Sequence, residues 1–490
     1  MNSRLAFLHR PTARRLGTTL ATLATLAALA TLAACTSGPP YRPPSAASPA
    51  TFKEAPTADS TWFPAAPADT LDRGPWWELF GDPALSALAG QVEVSNQNVA
   101  AAVAAYAQAQ ALVREQRAAL FPSLALDAGA TRSGGAAASG KPTNLQLGLG
   151  ASWEPDIWGK LRLGVASAQA SAQVSAANLA AARLSAQAAL ATDYFALREA
   201  DNEIALLTRA VSAYERALRI TQNQYDAGIA QRTDVLEAQT QLETTRANLV
   251  AMVGQRALLE HAIALLVGKA PAEFSVPVAA WNASVPAVPL VVPSELLQRR
   301  PDIAAAERAV AAANAQIGIQ RTAYFPSLGL SATYGGAGSN LLALFRASNN
   351  LWSLGLSAAQ TLFDAGAIAA RVEGAQAARD AAVANYRQAV LSGFQTVEDR
   401  LATIRSLAEQ EDRRRAASAD ADRTEQLTLN QYLQGLVPYT SVVTAQVTAL
   451  SARQTLSQLM SSRQAAAIAL IQALGGGWRT SSLDAAAAAR

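Results

Sequence analysis

Cys35 is the only cysteine in the 490 residues, and His9 and His261 are the only histidines. Nucleophilic hydrolysis needs a hydroxyl or thiol beside a base. Past the N-terminal segment the one imidazole is His261, inside the aliphatic stretch "RALLEHAIALL", where it reads as a packed or surface histidine. "RRPDI" (299–303) offers Asp302 as a catalytic carboxylate. A helix start accounts for it better, because proline suits the first helical position and an acid suits the first turn. No cluster of ligand residues has the spacing of a metal site. No cofactor is implied, a single cysteine excludes an intrachain disulfide, and the chain is not expected to be an enzyme.

The cysteine has chemistry of another kind. Residues 1–34 carry arginines at the start and then the apolar run "LGTTLATLATLAALATLAA", the pattern of a secretory signal. Leu32-Ala33-Ala34-Cys35 resembles a bacterial lipobox. That resemblance implies removal of 1–34 and acylation of Cys35. Thr36, standing where an aspartate would mark inner-membrane retention, points to the outer membrane. "TSGPPYRPPS" then reads as an extended tether, taken as 35–75.

The formal charge of +3 includes Arg4, Arg10, Arg14 and Arg15 of the signal; without those four the chain is at −1. It shows no basic stripe interleaved with aromatics, so nucleic acid is excluded as a partner. Charged residues make up 16% and alanine dominates. Alanine is the best helix former and has a small side chain, so long closely packed helices are expected.

The elements that would position any site come in two copies. "FPSLALDAGATRSG" at Phe121 matches "FPSLGLSATYGGAG" at Phe325, "EPDIWGKLR" near Asp156 matches "QTLFDAGAIAARV" near Asp364, and "YDAGIAQRTDVLEAQ" from Tyr225 matches "YLQGLVPYTSVVTAQ" from Tyr432. The offsets cluster near ~205 residues, too long for a solenoid unit, so two fused copies of one structural half are expected. They span 76–269 and 294–478, joined by a proline-rich linker at 270–293 and followed by a flexible tail at 479–490.

Each half has one order. A helix of roughly 30 residues ends at Phe-Pro, since the residue before proline leaves the α region. A strand pair follows (122–155, then 326–362), with Gly/Ser-rich loops at 133–143 and 335–350. Leu124, Leu126 and Ala128 alternate with small or polar residues, as do Leu145 to Trp153, Leu328 to Tyr334 and Trp352 to Ala358. Each strand is about ten residues, enough to cross a bilayer when tilted. Phe121, Trp153, Trp158, Phe325 and Phe363 fall at strand ends, as interfacial aromatics do. A long helix then runs to each tip turn, at 225–234 and 432–441. Both long helices show a 4-3 apolar spacing, from Leu161 to Ala189 and from Val383 to Ala408, the mark of a coiled-coil-like seam. "EDRRRAASADADR" (411–423) reads as a solvated helix face.

Four strands cannot close a barrel, and an open sheet edge is forbidden in lipid. Other copies of the chain must complete the sheet. Two copies would make a barrel filled by its own side chains, and three would begin to leave a lumen.

"PWWELFGDPALSAL", "FPSLAL", "SWEPDIWGKLR", "RRPDIAAAERAVAAANAQIGIQRTAYFPSL", "YRQAVLSGFQTVEDRLA" and "ALGGGW" occur in this order between about 76 and 478. On this set the chain resembles the TolC-type outer-membrane efflux proteins, in their lipoprotein (NodT-like) branch. The resemblance implies a mixed membrane α+β fold: a homotrimer with a twelve-stranded outer-membrane β-barrel, four strands per chain, continued by a long periplasmic α-helical barrel. It implies an exit duct for small molecules, working with a periplasmic adaptor and an inner-membrane transporter and set in outer-membrane lipid. The alternatives are the duct of a protein-secretion system and a lipid-anchored periplasmic coiled-coil scaffold without a barrel.

The resemblance also assigns the tips. Gly228 and Gly435 permit the reversals. Gly228, Ile229, Ala230, Gly435, Leu436 and Val437 would meet the adaptor. Tyr432, Thr233 and Asp234 would form the periplasmic gate, with the Tyr432 hydroxyl bonded to Asp234. Asp234 with Glu237 also reads as a capping box for the returning helix. Where the family carries charges on the second tip, this chain has Val437, Ser441 and Thr444, which implies a loose latch and weak cation preference.

Overall fold

The computed structural model describes residues 38–46, 48–54, 75–132, 143–288 and 293–483. The signal segment, Cys35, most of the expected loop 133–143 and the end of the tail lie outside these residues. In the first repeat, α1 (Pro83–Ser95) begins at Asp82, whose Oδ1 accepts from the Ala84 and Leu85 amides. The single long helix expected before Phe121 is broken at Asn96, which is extended (φ −68°, ψ 123°). Its Oδ1 accepts from the Asn98 and Val99 amides, and its Nδ2 donates to Leu266 O at 2.8 Å. The side chain thus caps the next helix, α2 (Gln97–Ala118). Then come β1 (Ser123–Arg132), β2 (Thr143–Trp153), α3 (Lys160–Asp226, 67 residues) and α4 (Arg232–Leu266, 35 residues).

The second repeat has the same plan. Here Pro301 makes the break, having no N–H to give, so α5 (Pro293–Arg299) precedes α6 (Pro301–Arg321). Next are β3 (Ser327–Gly338), a single turn α7 (Leu341–Leu344), β4 (Asn350–Ala359), α8 (Ala367–Leu433, 67 residues) and α9 (Tyr439–Ala473, 35 residues). The long helices start alike. Asp156 accepts from the Leu161 and Arg162 amides at 2.9 Å each, and Asp364 accepts from Gly366 and Ile368.

The described chain divides into two compact units. The first contains the residues up to Pro44, Ala107–Gln173 and Glu307–Asn385, and so the sheet. Its strand order is β1-β2-β3-β4, all antiparallel, with β2 against β3 joining the two repeats. β3 runs further than expected, into the segment read as a loop from 335. The reason is glycine: a Cβ at Gly335 would lie 2.4 Å from Leu147 O, so only glycine lets β3 approach β2 there.

The second unit contains Ser45–Tyr106, Val174–Ala306 and the residues from Tyr386 on. In α8 the expected seam is buried at Tyr386, Val390, Phe394, Val397, Leu401 and Ile404. In α3 it slips by one position: Ala189 is exposed and Leu190 is fully buried. A straight helix drifts ~20° per heptad from a strict 3.5 repeat, which accounts for the slip.

The segments expected as an extended tether and a flexible tail are packed where they are described, and so is the proline-rich linker. Within the tether, Asn314 Nδ2 donates to Pro39 O at 3.0 Å, and Phe52 is buried edge-on to Phe394, 6.5 Å away. Glu398 accepts from the Lys53 and Glu54 amides at 2.7 and 2.9 Å. In the linker, Trp281 and the Asn282 and Ser284 carbonyls bond to the buried Gln464. In the tail, the Thr480 amide donates to Gln298 O at 2.9 Å, and Leu483 is buried against Ala177, Ala304 and Ala305. Apolar anchors and unpaired backbone amides find partners in each of these stretches.

Candidate functional site

Both hairpin tips are built by the same local chemistry. At the end of α3 the Gly228 amide donates to Tyr225 O (2.9 Å) and the Ile229 amide to Gln224 O (2.8 Å), with Gly228 at φ 72°. At the end of α8 the Gly435 amide donates to Tyr432 O and the Leu436 amide to Gln431 O, both at 2.9 Å, with Gly435 at φ 73°. Each is a helix closed by a left-handed glycine, which side-chain-bearing residues adopt only with strain. Ile229 and Leu436 are left exposed, 77% and 68%, while Ala230 and Val437 are half-buried.

The gate residues fall otherwise than expected. Tyr432 donates its hydroxyl to Gln224 Oε1 at 2.5 Å and not to Asp234. Asp234 is the third residue of α4 and not its cap: its Oδ2 accepts from the Gln231 amide at 3.2 Å, and its own amide donates to Gln231 O. Glu237 takes no part in that cap, and its Oε2 is buried without a hydrogen-bond partner among the described residues. Thr233 is exposed and bonds to Gln231. The difference is one of register, since the cap falls at Gln231, three positions before the Asp-x-x-Glu pattern begins.

Behind the tips lies an apolar cluster of Ala238, Tyr439 and Val442, with Leu218, Leu429, Tyr432 and Val443 against it. Burial pushes the Tyr439 phenol up to about 12. The Tyr432 phenol is raised too, by burial first and by the Asp234 charge, against a Thr221 hydrogen bond that lowers it. Both hydroxyls therefore stay protonated donors at neutral pH. Gln224 was missed as a site residue. The signal was the repeated "NQY" at 223–225 and 430–432 just before each turn.

Higher on the helices sit buried charges that composition did not reveal. Arg198 pairs with Asp201 at 3.0 Å and donates to Pro277 O, and Arg256 pairs with Asp201 at 2.6 Å and donates to Val276 O. Glu199 and Glu203 lie together, with Ser457 and Gln454 donating to them. Burial first, and then the Glu203 charge, push the Glu199 carboxyl up to about 7. Asp302 is salt-bridged to Arg300 at 2.6 Å in the first turn of α6, and His261 is exposed. The charged stretch 411–423 is partly paired across the hairpin, by Arg463 with Glu411 and Arg453 with Asp422, and so is more than a solvated face.

In the sheet, residues directly opposite one another share a face. Leu126 faces Leu149, Leu149 faces Tyr334, and Tyr334 faces Trp352; Ala128 faces Leu147, and Leu330 faces Leu356. All four apolar alternations thus fall on one face. The other face carries Asp127, Gly148, Thr333 and Ser353. Where the strands join the helices, Trp158 stacks on Phe325 at 4.8 Å and donates to Pro326 O, and Trp153 donates to Leu120 O. An apolar outside, a small and polar inside and bonded aromatics at the rim are what a membrane barrel wall requires.

A family model described as Outer membrane efflux protein matches residues 88–269 and 292–476, one span in each repeat. The chain is 30% identical over 450 residues to the pyoverdine export outer membrane protein OpmQ of Pseudomonas aeruginosa, covering 88% of this chain and 94% of that protein. It is 29% identical over 418 residues to the cation efflux system protein CusC of Escherichia coli, covering 84% and 90%. The solved outer-membrane channel OprN superposes with a TM-score of 0.82 at 28% identity, over 91% of this chain and all of that one. With both repeats matched and nearly the full length aligned, the chain belongs to the outer membrane efflux protein family.

Proposed function

We propose that this chain is the outer-membrane exit duct of a tripartite efflux system, passively conducting small molecules delivered by an inner-membrane transporter through a periplasmic adaptor. The observation that carries the assembly is the sheet. β1 and β4 each leave one edge unpaired among the described residues, beside a continuous apolar face. An open edge in lipid leaves several kcal/mol of unmet hydrogen bonding per group. Three copies, with twelve strands, close the edges and leave a lumen. α4 also keeps Val250, Val253, Leu258 and Leu265 exposed, an apolar stripe suited to helix packing between copies.

Cys35 carries the lipid anchor in this reading. The apolar tips at Gly228, Ile229, Ala230, Gly435, Leu436 and Val437, with Ile229 and Leu436 exposed, suit an adaptor. Tyr432, Thr233 and Asp234 line the resting gate, with Gln224 as the tyrosine's acceptor. OpmQ is named for pyoverdine and CusC for cations, so the cargo class here is given only as small molecules. The test is the mass of the detergent-extracted protein together with conductance in planar bilayers. A trimer that conducts is expected; a monomer, or a trimer without conductance, overturns the reading.

A further inference from the structure

We propose that the β3–β4 connection binds a phosphorylated, multiply acylated lipid of the outer leaflet, with Leu341, Leu342 and Phe345 taking acyl chains and Arg346 the phosphate. The proposal rests on the outer-membrane reading of the sheet.

The segment "LLALFR" (341–346) exposes Leu341 by 71%, Leu342 by 82% and Phe345 by 77%, while Leu344 is buried. It is a built feature. Asn340 accepts from the Ala343 amide at 2.9 Å, and Asn349 Nδ2 donates to Ala343 O at 2.7 Å. Two glycines of β3 receive it. A Cβ at Gly336 would meet Leu344 O at 2.4 Å, and one at Gly338 would meet the Ala343 Cβ at 2.8 Å.

The position of those glycines decides which way the segment folds. Gly336 lies opposite Leu147 and Gly338 opposite Leu145, so both belong to the apolar face of the sheet. The turn α7 therefore folds down over the lipid side and not over the polar side that faces the lumen. Its exposed apolar side chains continue a surface already assigned to lipid, and that continuity names the occupant.

The height agrees. From Phe325, two residues before β3, to Tyr334 is nine residue steps, the last seven within the strand. At about 3.4 Å per residue and a tilt near 40°, this is roughly 23 Å of membrane, close to the ~25 Å apolar band of such barrels. Tyr334 and Trp352, paired and exposed, thus form the outer aromatic belt. Gly336 and Gly338 come just beyond it, at the level where outer-leaflet acyl chains meet phosphates. The Arg346 guanidinium is exposed there with no carboxylate partner among the described residues. Arg132 ends β1 on the same face. A guanidinium matches a phosphate with two parallel hydrogen bonds.

The test is native mass spectrometry of the full-length protein, titrated with hexa-acylated bisphosphoryl lipid A and with the same lipid stripped of its phosphates. The variants are Arg346→Gln and the combined Leu341→Ser, Leu342→Ser and Phe345→Ser, with Leu344 kept so that the turn stays packed. Lipid A should bind about tenfold more weakly to Arg346→Gln, the loss of one charge-assisted contact. The stripped lipid should bind wild type equally weakly, and the serine variant should bind neither. All variants should keep heat-modifiable migration and wild-type conductance. Equal binding of the two lipids, or unchanged binding to Arg346→Gln, overturns the phosphate site. Normal lipid binding with raised conductance in the serine variant overturns the proposal in favour of a mouth plug made by the same segment of other copies. A wild-type protein without a heat-modifiable barrel removes the outer-membrane reading itself, an outcome distinct from all of these.

Discussion

The Tyr432 hydroxyl donates to Gln224 Oε1 at 2.5 Å, tying the end of α8 to the end of α3 across 208 positions of sequence. The bond joins two neutral groups, so it is worth about 1 kcal/mol, less than a bond to a carboxylate.

Removing either partner should therefore loosen each tip by about 1 kcal/mol. Tyr432→Phe and Gln224→Leu should each raise the resting conductance in planar bilayers. The double variant should do no more than either single one, because both remove the same bond. Additive effects would show that the two side chains act through different partners.

Leu354 and Ser353 are neighbours on opposite faces of β4. Leu354→Arg, two residues below the Trp352 belt and short of the midplane, should cost about 1–2 kcal/mol per chain, whereas Ser353→Arg, facing the lumen, should be mild. Heat-modifiable migration after graded urea treatment reads the difference. Equal damage at both positions would reverse the facing assigned to the sheet.

The raised Glu199 carboxyl gives a pH dependence. Its folded value of about 7 lies above its ordinary value of 4.5, so the folded state holds the proton more tightly. Stability from this group is fully present below 4.5 and is lost as pH rises from 4.5 to about 7. Glu199→Gln keeps the neutral shape and removes the loss. After allowance for solvent screening, the variant should gain about 1 kcal/mol at pH 8 and nothing at pH 4.5. Denaturant midpoints of the detergent-solubilised protein at the two pH values check this, and a gain of equal size at both would exclude the carboxyl as the cause.

Gly318 on α6 seats the tether. A Cβ there would lie 2.8 Å from Gly38 Cα and 2.7 Å from Leu163 Cδ1. Gly318→Leu should expel the segment around Gly38 while α6 persists, since leucine is the better helix former. Limited proteolysis should then cut within 38–46 several-fold faster than in wild type. Unchanged cleavage would mean that the Asn314 bond to Pro39 O is enough to hold the segment.

Much of this protein was set by local pattern. The two-residue period in β1 to β4 placed the large apolar side chains on one face, Leu351 at the start of β4 excepted, because successive strand residues alternate whatever lies beside them. The repeated Tyr-x-x-Gly marked both tips, because the left-handed residue that ends a helix is a local need. Asp156 and Asp364 stood where the long helices begin for the same reason. Tertiary structure decided what depends on distant neighbours. The pairing of β2 with β3, the bond of Asn96 to Leu266 that splits a helix, and the choice of Gln224 over Asp234 by Tyr432 all join positions far apart in the chain. The burial of Glu199 and the folding of 341–345 onto Gly336 and Gly338 are of the same kind. A hydrogen bond needs its partner within about 3 Å and in line, and that geometry exists only once the helices and strands have packed.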